Sequence, residues 1–482
     1  MGAQQLVAHG PQELVIVGGG LVGSLLALYL QRRGHRVSVY ERRPDLRQGP
    51  MAAGRSINLV ATERGLRGVD PLGLRSSILD LTVTIRGRTM HDRAGQLAHQ
   101  PYGNDDREVN HSVPRAELNR LLISRAEAAG TRFYFGQRLE RADLERRELH
   151  FTSETTGDTR TIVYEGPVIG ADGAGSALRG ELDRLAGHRS TYEPLGHSYK
   201  ELEIPPNADG GYRLDPNALH IWPRGRHMMM ALANQDGSFT VTLYLPDEGQ
   251  NSFASLTTPA AVEAFFAAEF ADSLPLLPRL TTDFFQNPTG RLGTLRAQPW
   301  HVEDRAVLIG DAAHAIVPFF GQGMNCGFED CAVLDHLLDR FGGNWRTALA
   351  EYSEQRPVDG NAIADMALEN FVEMRDYVGD PAFLRRKRVE HRLERMWPLE
   401  FRSRYAMVVY SSIPYHVVQE LGRVQDGILD TLCAGIDSED KVDLVAAQRM
   451  IRDRLAPLHQ RYGIDLNHLG TLGTAPRERG VT

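Results

Sequence analysis

Residues 306–336, AVLIGDAAHAIVPFFGQGMNCGFEDCAVLDH, place an acid and a helix start where they can do chemistry together. An apolar strand, Ala306–Ile309, runs into Gly310-Asp311, a turn rich in Pro and Gly follows from Pro318 to Gly323, and an amphipathic helix then begins. A helix start leaves backbone N–H groups unpaired and carries positive partial charge. An electron-rich ring docked there is stabilised when it gains negative charge on reduction. Asp311, just past a strand, is placed to accept hydrogen bonds from a polyol or sugar chain. Alone, the segment is a strand, a turn and a helix with a suggestive acid.

A second constellation stands near the N-terminus. Gly18-x-Gly20-x-x-Gly23 has a strand before it, a helix after it, and Glu41 at the end of the next strand. Gly18 permits the tight turn, Gly20 lets the backbone approach a pyrophosphate, and Gly23 lets helix and strand pack closely. The helix start at Leu21-Val22 then offers N–H donors and its dipole to phosphates. Glu41 is placed to accept from ribose hydroxyls, with Arg42 beside it toward the adenosine half. The motif does not separate NAD from FAD. The stretch VIGADGAGS at 168–176 is a strand followed by Asp172-Gly173, a few residues before Arg179. Paired with Gly310-Asp311, it makes a two-part signature that joins a dinucleotide fold to a flavin.

The elements that must position these residues follow from hydrophobic patterning. Glu13–Val17, Leu21–Arg33 and Arg36–Tyr40 read as a βαβ unit with Gly34-His35 as the helix stop. A helix is expected over Ala116–Ala129, and strands over Arg132–Phe135, Glu148–Thr152 and Val163–Ala171. From Gly196 to Pro246 the pattern becomes alternating (SYKELEI, LHIWP, HMMMALAN, SFTVTLYLP), which predicts an antiparallel sheet as a separate β-rich module. Pro259–Phe270 resembles a helix resting on that sheet. Strand and helix return at Ala306–Phe341, so distant sequence completes the first module. Beyond Trp345 the chain reads as helical to about Leu458, and Leu469–Thr482 as a loose tail.

Composition narrows the classes. The chain has 482 residues, 42% hydrophobic and 24% charged, ordinary for a soluble globular protein of two or three domains. A net charge of −8 argues against a nucleic-acid partner. The three cysteines, Cys326, Cys331 and Cys433, give neither a disulfide framework nor metal-ligand spacing, which favours a reducing cytoplasm. The first two read as small buried hydrophobes. No signal peptide and no run of 18 apolar residues is present, so no membrane association is expected. The basic run Arg385-Arg386-Lys387-Arg388, continuing to Arg392 and Arg395, reads as the solvated face of an amphipathic helix. His314, with no carboxylate partner visible in the sequence, reads as structural.

GxGxxG, DG and GD together resemble the fingerprints of the class A flavoprotein aromatic hydroxylases. The strings Gly54-Arg55-Ser56-Ile57-Asn58-Leu59, Tyr199–Leu202, Leu219–Arg224, HAIVPFFGQGMN and Asn370–Arg375 narrow the resemblance to the kynurenine 3-monooxygenase family, from about Glu13 to Tyr415. Past roughly Gln425 it fades, where animal members carry a membrane segment. The resemblance implies an α/β fold, with a Rossmann-like FAD-binding domain interleaved with an antiparallel β-sheet substrate domain, plus a C-terminal helical domain. The expected boundaries are 11–75, 108–185 and 298–345 for the first, 76–107 and 186–297 for the second, 346–460 for the third, and 461–482 for the tail. It implies FAD and NADPH as cofactors, dioxygen as co-substrate, and L-kynurenine as the substrate hydroxylated through a flavin hydroperoxide in tryptophan degradation.

The resemblance also implies site residues. Arg88 and Tyr102 match the pair that binds the amino-acid carboxylate, a role that guanidinium and phenol suit chemically. Asn370 and Tyr405 match further polar contacts from the helical domain. Leu219, Ile221, Met230, Leu232 and Tyr244 match an apolar wall for the aromatic ring, with Pro318 and Phe319 in the turn beside it. Arg55 and Arg115 match flavin contacts, Leu139 a backbone contact near the adenine, and Asp172 and Asp311 the two acidic fingerprints. Gly323, Met324 and Asn325 match the helix start under the isoalloxazine edge. No catalytic side chain and no metal are expected, because the chemistry mainly needs a dry, oriented ring. A sibling hydroxylase acting on another aromatic acid is the alternative, and a flavoprotein that binds or senses without turnover is a further one. The homodimer is an assembly the sequence leaves open.

Overall fold

The computed structural model describes residues 10–49, 58–103, 107–377 and 380–466. Its central sheet explains why three turns 150 residues apart meet. Six strands run in the order His301–Val302, Ala306–Leu308, Val168–Gly170, Glu13–Val17, Arg36–Glu41, Arg132–Phe135. All pair in parallel except the first, an antiparallel edge. Leu14, Val15, Ile16 and Val17 are buried, as the interior strand of a parallel sheet covered on both faces requires. Ile169 pairs with Ile16 on one side and Val307 on the other. The carboxyl ends of three adjacent strands therefore carry GxGxxG, DG and GD side by side. In open α/β sheets, ligands bind at that edge.

The helix Leu21–Arg32 is buried along almost its whole length because it lies between the sheet, the helix Arg115–Ala128 and the helix Gly323–Arg340. Gly34, at φ +83°, ends it. The Val163–Ala171 strand of the sequence reading is two strands here: Thr159–Val163 belongs to a three-stranded antiparallel sheet with Gln137–Asp143 and Glu148–Ser153, and only Val168–Gly170 enters the central sheet. A four-residue helix, Asp311–His314, also intervenes after Gly310, where only a turn is expected.

A seven-stranded sheet stands against this module. Its order is Thr289–Gln298, Arg189–Ile204, Phe239–Pro246, Met228–Ala233, Ala218–Pro223, Gly87–His91, Leu97–Pro101. The sheet is not wholly antiparallel: Gly87–His91 pairs in parallel with Ala218–Pro223, because it arrives from distant sequence rather than through a hairpin. Period-2 alternation gives the sheet two faces. Trp222, Met229, Phe239, Val241 and Leu243 point to a core shared with Phe265 and Phe266 of the helix Pro259–Glu269. Leu219, Ile221, Met228 and Tyr244 point the other way, onto Val317, Phe319 and Phe371.

Six helices, Trp345–Val372, Pro381–Met396, Arg404–Tyr410, Tyr415–Cys433, Leu444–Arg454 and Ala456–Tyr462, make the remaining part. Helix therefore runs to Tyr462, two residues into the expected tail; the rest of that tail, from residue 467, lies outside the described residues. Val389, Leu393, Met407, Val418 and Ile428 form a core that also takes in Cys326. None of the described helices is long and apolar enough to cross a membrane.

Close approach of strand and helix at the first turn gives a stability test. A Cβ on Gly23 would lie 2.0 Å from the Gly18 carbonyl oxygen. Gly23→Ala is expected to destabilise the protein by about 2 kcal/mol or more, since the clash is with backbone and cannot be relieved by a rotamer. Urea unfolding checks it; wild-type stability would mean the helix does not pack as described.

Candidate active site

The first turn is built to receive an anion. Gly18 adopts φ +106°, and a Cβ there would meet the Ala171 carbonyl oxygen at 2.4 Å, so the GxGxxG and DG turns back directly onto each other. Gly20 faces open space, with nothing within 4 Å of a virtual Cβ, and begins a helix with no acid in its first turn and no side-chain cap. Glu41 is held in place by its neighbours: Oε2 accepts from Gly19 N at 2.8 Å and Oε1 from Arg43 N at 2.9 Å. Arg42 is exposed.

The second and third turns differ in what their acids face. Asp172 Oδ2 accepts from Ala177 N at 2.7 Å, capping the helix Ala177–Leu182, and burial raises its pKa above the usual carboxylate value. The cavity is lined instead by its neighbours Ala171 and Gly173, while Asp172 Oδ1 is buried without a partner. Asp311 does line the cavity, together with Gly20, Leu21, Val22, Ile309 and Arg115. Gly310 precedes it at φ +60°, packed against Val22. Leu139 is in the core, its backbone paired with Phe151, and lines neither cavity described below. Arg55 lies outside the described residues.

Gly323 and Met324 also line this cavity. The helix they start, Gly323–Arg340, has no acid in its first turn and no side-chain cap. Asn325 does not face the cavity. Its Oδ1 accepts from Thr62 N at 3.0 Å, and its Nδ2 donates to the Val60 and Gly321 carbonyls at 2.8 and 2.7 Å. A side-chain amide next to a helix start reads as a ligand contact in sequence, but here it ties the strand Asn58–Ala61 to the floor. An open anion cradle, two uncapped helix starts and the cavity-facing Asp311 fit a dinucleotide with a flavin ring.

His314 has the carboxylate partner that the sequence does not reveal. Its Nε2 is 2.6 Å from Asp330 Oδ2, which also accepts from Gly310 N at 3.2 Å, while Asp330 Oδ1 accepts from Arg356 Nε at 2.8 Å. Burial opposes charge on the imidazole, but Asp330 overcomes it and holds the ring's pKa well above its ordinary value. Arg356 also donates to Cys326 Sγ at 3.4 Å, so a guanidinium already pairs with two members of the His314, Cys326 and Asp330 cluster. The ring's role is structural, through a buried ion pair.

The other half of the site is a clamp and a wall. Arg88, on Gly87–His91, places its guanidinium 5.2 Å from the Tyr102 ring centre and 5.3 Å from that of Tyr405, whose rings stack 5.3 Å apart at 9°. Its Nε is buried without a partner, and Glu373 attracts its charge. Asn110 Nδ2 donates to the Tyr405 hydroxyl at 2.8 Å. Leu219, Met230, Leu232, Tyr244, Pro318 and Phe319 line the same cavity of about 270 Å³ as the flavin turns. Ile221 and Asn370 instead line a second cavity of about 620 Å³, which shares Arg88, Tyr102, Phe320, Met374 and Tyr405 with the first. Asn370 Nδ2 donates to the Phe319 carbonyl at 2.6 Å. Sequence reasoning missed Asn110, Thr240 and Thr242. The threonines alternate with Val241 and Leu243, and polar residues on one face of so apolar a strand were a readable sign of a binding wall.

The basic run is a solvated face only in part: Arg388 and Arg395 are exposed, while Arg386 and Lys387 are drawn into ion pairs. Lys387 pairs with Glu373 and Glu390 at 3.4 and 3.2 Å, Arg386 with Asp426 at 2.7 Å, and Arg388 with Glu439 at 3.0 Å. One of these acids, Glu390, is on the same helix, and the others come from the segments around Glu373, Asp426 and Glu439.

Fold and site together define a flavin-dependent monooxygenase with a single dinucleotide-binding turn. The family model for the FAD binding domain matches residues 12–367. The fold is similar to that of 2-methyl-3-hydroxypyridine-5-carboxylic acid oxygenase, with TM-score 0.62 and 18% identity, covering 78% of this chain and 96% of that one. It is also similar to Pseudomonas aeruginosa PqsL, solved in complex with 2-aminobenzoylacetate, with TM-score 0.56, 21% identity, and 76% and 97% coverage. The kynurenine 3-monooxygenase of Myxococcus xanthus is 47% identical over 93% of this chain and 97% of its own, and that of Stenotrophomonas maltophilia 46% over 94% and 99%. The chain belongs to the kynurenine 3-monooxygenase family.

One buried carboxyl gives the site's surroundings a pH signature. Glu394 accepts from Ser403 N at 3.1 Å and lies 3.4 Å from Arg402, yet burial pushes its pKa up to about 7. A carboxyl whose folded value exceeds its unfolded value of about 4.3 binds its proton more tightly when folded, so it costs stability as pH rises from about 4 to about 7. The melting temperature of Glu394→Gln minus that of wild type is expected to increase from pH 5 to pH 8. A difference that is constant with pH would contradict this.

Proposed function

We propose that the protein hydroxylates L-kynurenine to 3-hydroxy-L-kynurenine, consuming NADPH, a proton and O2 and releasing NADP+ and water. The observation that carries the reading is Arg88, a cation whose Nε is buried without a partner, held between two tyrosines at one end of an apolar cavity whose other end is the flavin cradle. An amino-acid carboxylate supplies the partner, and Arg88 with the Tyr102 and Tyr405 hydroxyls orients it. Leu219, Met230 and Leu232 then hold the aminobenzoyl ring by apolar contact, and Pro318 with Phe319 excludes water beside it.

FAD, when bound, supplies the activation of dioxygen at the expense of NADPH. The GxGxxG turn and Glu41 are proposed to hold its adenosine and pyrophosphate, and Asp311 its ribityl chain. The amides at Gly323 and Met324 favour negative charge on the ring during reduction. No general base is assigned: the substrate's own amino group activates the ring, and His314 is committed to Asp330. A cytoplasmic location is the reading consistent with three free cysteines.

The test follows NADPH oxidation with and without L-kynurenine, with mass analysis of the product. Substrate-dependent oxidation yielding a product heavier by one oxygen atom is expected; peroxide release without such a product rejects the reading. Arg88→Met is expected to raise the KM for L-kynurenine about ten- to a hundredfold, the size of one lost charged hydrogen-bonding pair. An unchanged KM would remove Arg88 from the clamp.

A further inference from the structure

Tyr405 is carried by a helix of seven residues, Arg404–Tyr410. Ser403 caps its start by accepting from Ala406 N at 3.2 Å. At its other end a helix this short leaves as many carbonyls unpaired as a long one, and they are buried, so each needs a donor. The Ser411 hydroxyl serves the Met407 carbonyl locally, and the other donors come from another part of the molecule. Arg64 Nε donates to the Val408 carbonyl at 2.8 Å, and its NH2 group to the carbonyls of Ile413 at 2.7 Å and Met407 at 3.4 Å. Arg67 donates to the Tyr410 carbonyl at 3.3 Å and to the Ser412 hydroxyl at 2.6 Å.

Both arginines lie on the short helix Glu63–Arg67, which follows the strand Asn58–Ala61 and packs on the floor helix Gly323–Arg340. Arg64 is 2% exposed. Its third nitrogen pairs with Glu329 of the floor helix at 2.7 Å, and its plane lies 4.0 Å from the Tyr415 ring centre. Tyr415 in turn donates to Gln322 Oε1 at 2.9 Å, at the start of the floor helix. A buried guanidinium pays a desolvation cost that apolar packing would avoid, so stability alone does not account for it. What it adds is direction. A planar fork fixes several carbonyls at once, and cations suit the negative end of a helix.

We infer that Arg64, assisted by Arg67, is a positioning residue that sets Tyr405 against Arg88 by gripping the end of the Arg404–Tyr410 helix from the flavin floor. The inference rests on the proposed contact between Tyr405 and the substrate. The clamp would then be aligned by the same element that supports the flavin, so the two ligands are held in one frame.

A double-mutant cycle on the FAD-loaded enzyme tests it, with the Kd for L-kynurenine read from the change in flavin absorbance. Arg64→Lys keeps the charge but reaches fewer carbonyls. It is expected to raise that Kd about tenfold while leaving FAD affinity within about twofold, and on a Tyr405→Phe background the same change is expected to have less than about a twofold effect. Equal losses in both backgrounds would show a merely structural role and overturn the inference. If Tyr405→Phe binds L-kynurenine as wild type does, the proposed substrate contact fails, and the positioning role falls with it. Should Arg64→Lys not fold, Arg67→Lys enters the same cycle, with an expected effect of about threefold that is likewise lost on the Tyr405→Phe background.

Discussion

The start of the helix at Gly323 is the constraint around which the other modules are arranged. Its first amides have no partner inside the helix, and they retain their electrostatic value only if nothing nearby caps or neutralises them. The first turn has no acid, and the one side chain able to fold back, Asn325, is taken up by Thr62, Val60 and Gly321. The preceding Gln322 is held by Tyr415 from the helical region. A helix end that would ordinarily be capped is thus kept open by contacts from two other parts of the chain.

Beneath the floor lies a polar web whose charges are paired. Arg64, His314 and Arg356 face Glu329, Asp330 and Asp359, and His416 lies 2.8 Å from Asp359 at the web's more exposed edge. Buried charges of this kind are tolerated when every member is paired and hydrogen-bonded. The web joins Gly310, the floor helix, the long helix Trp345–Val372 and the turn after Arg404–Tyr410. The apolar part of the site rests on separate support: the front face of the seven-stranded sheet, whose back face has its own aromatic core.

Much of this was legible in the sequence, and what was not has a common cause. Local features were readable: the βαβ unit, the alternation from 196 to 246, and the three fingerprint turns, each set by nearest neighbours along the chain. Features made by distant partners were not. His314 lacked its acid because Asp330 lies one helix further on, and the basic run looked solvated because Asp426 and Glu439 come from later helices. Asn325 and Asp172 looked like ligand contacts because sequence shows the functional group but not what already occupies it. Asn370 and Ile221 line the second cavity, on the other side of Arg88, Tyr102 and Tyr405 from the flavin turns, a distinction that only tertiary packing draws.

The central claim is spatial: flavin ring over the Gly323 helix start, amino-acid carboxylate at Arg88, aromatic ring on the Leu219, Met230 and Leu232 wall between them. A crystal structure with FAD and L-kynurenine bound measures it directly. The account predicts the carboxylate within hydrogen-bond distance of the Arg88 guanidinium and of at least one of the Tyr102 and Tyr405 hydroxyls, with the ring in the cavity that the flavin turns line. A carboxylate bound away from Arg88, or a substrate ring held in the cavity lined by Ile221 and Asn370, would contradict it.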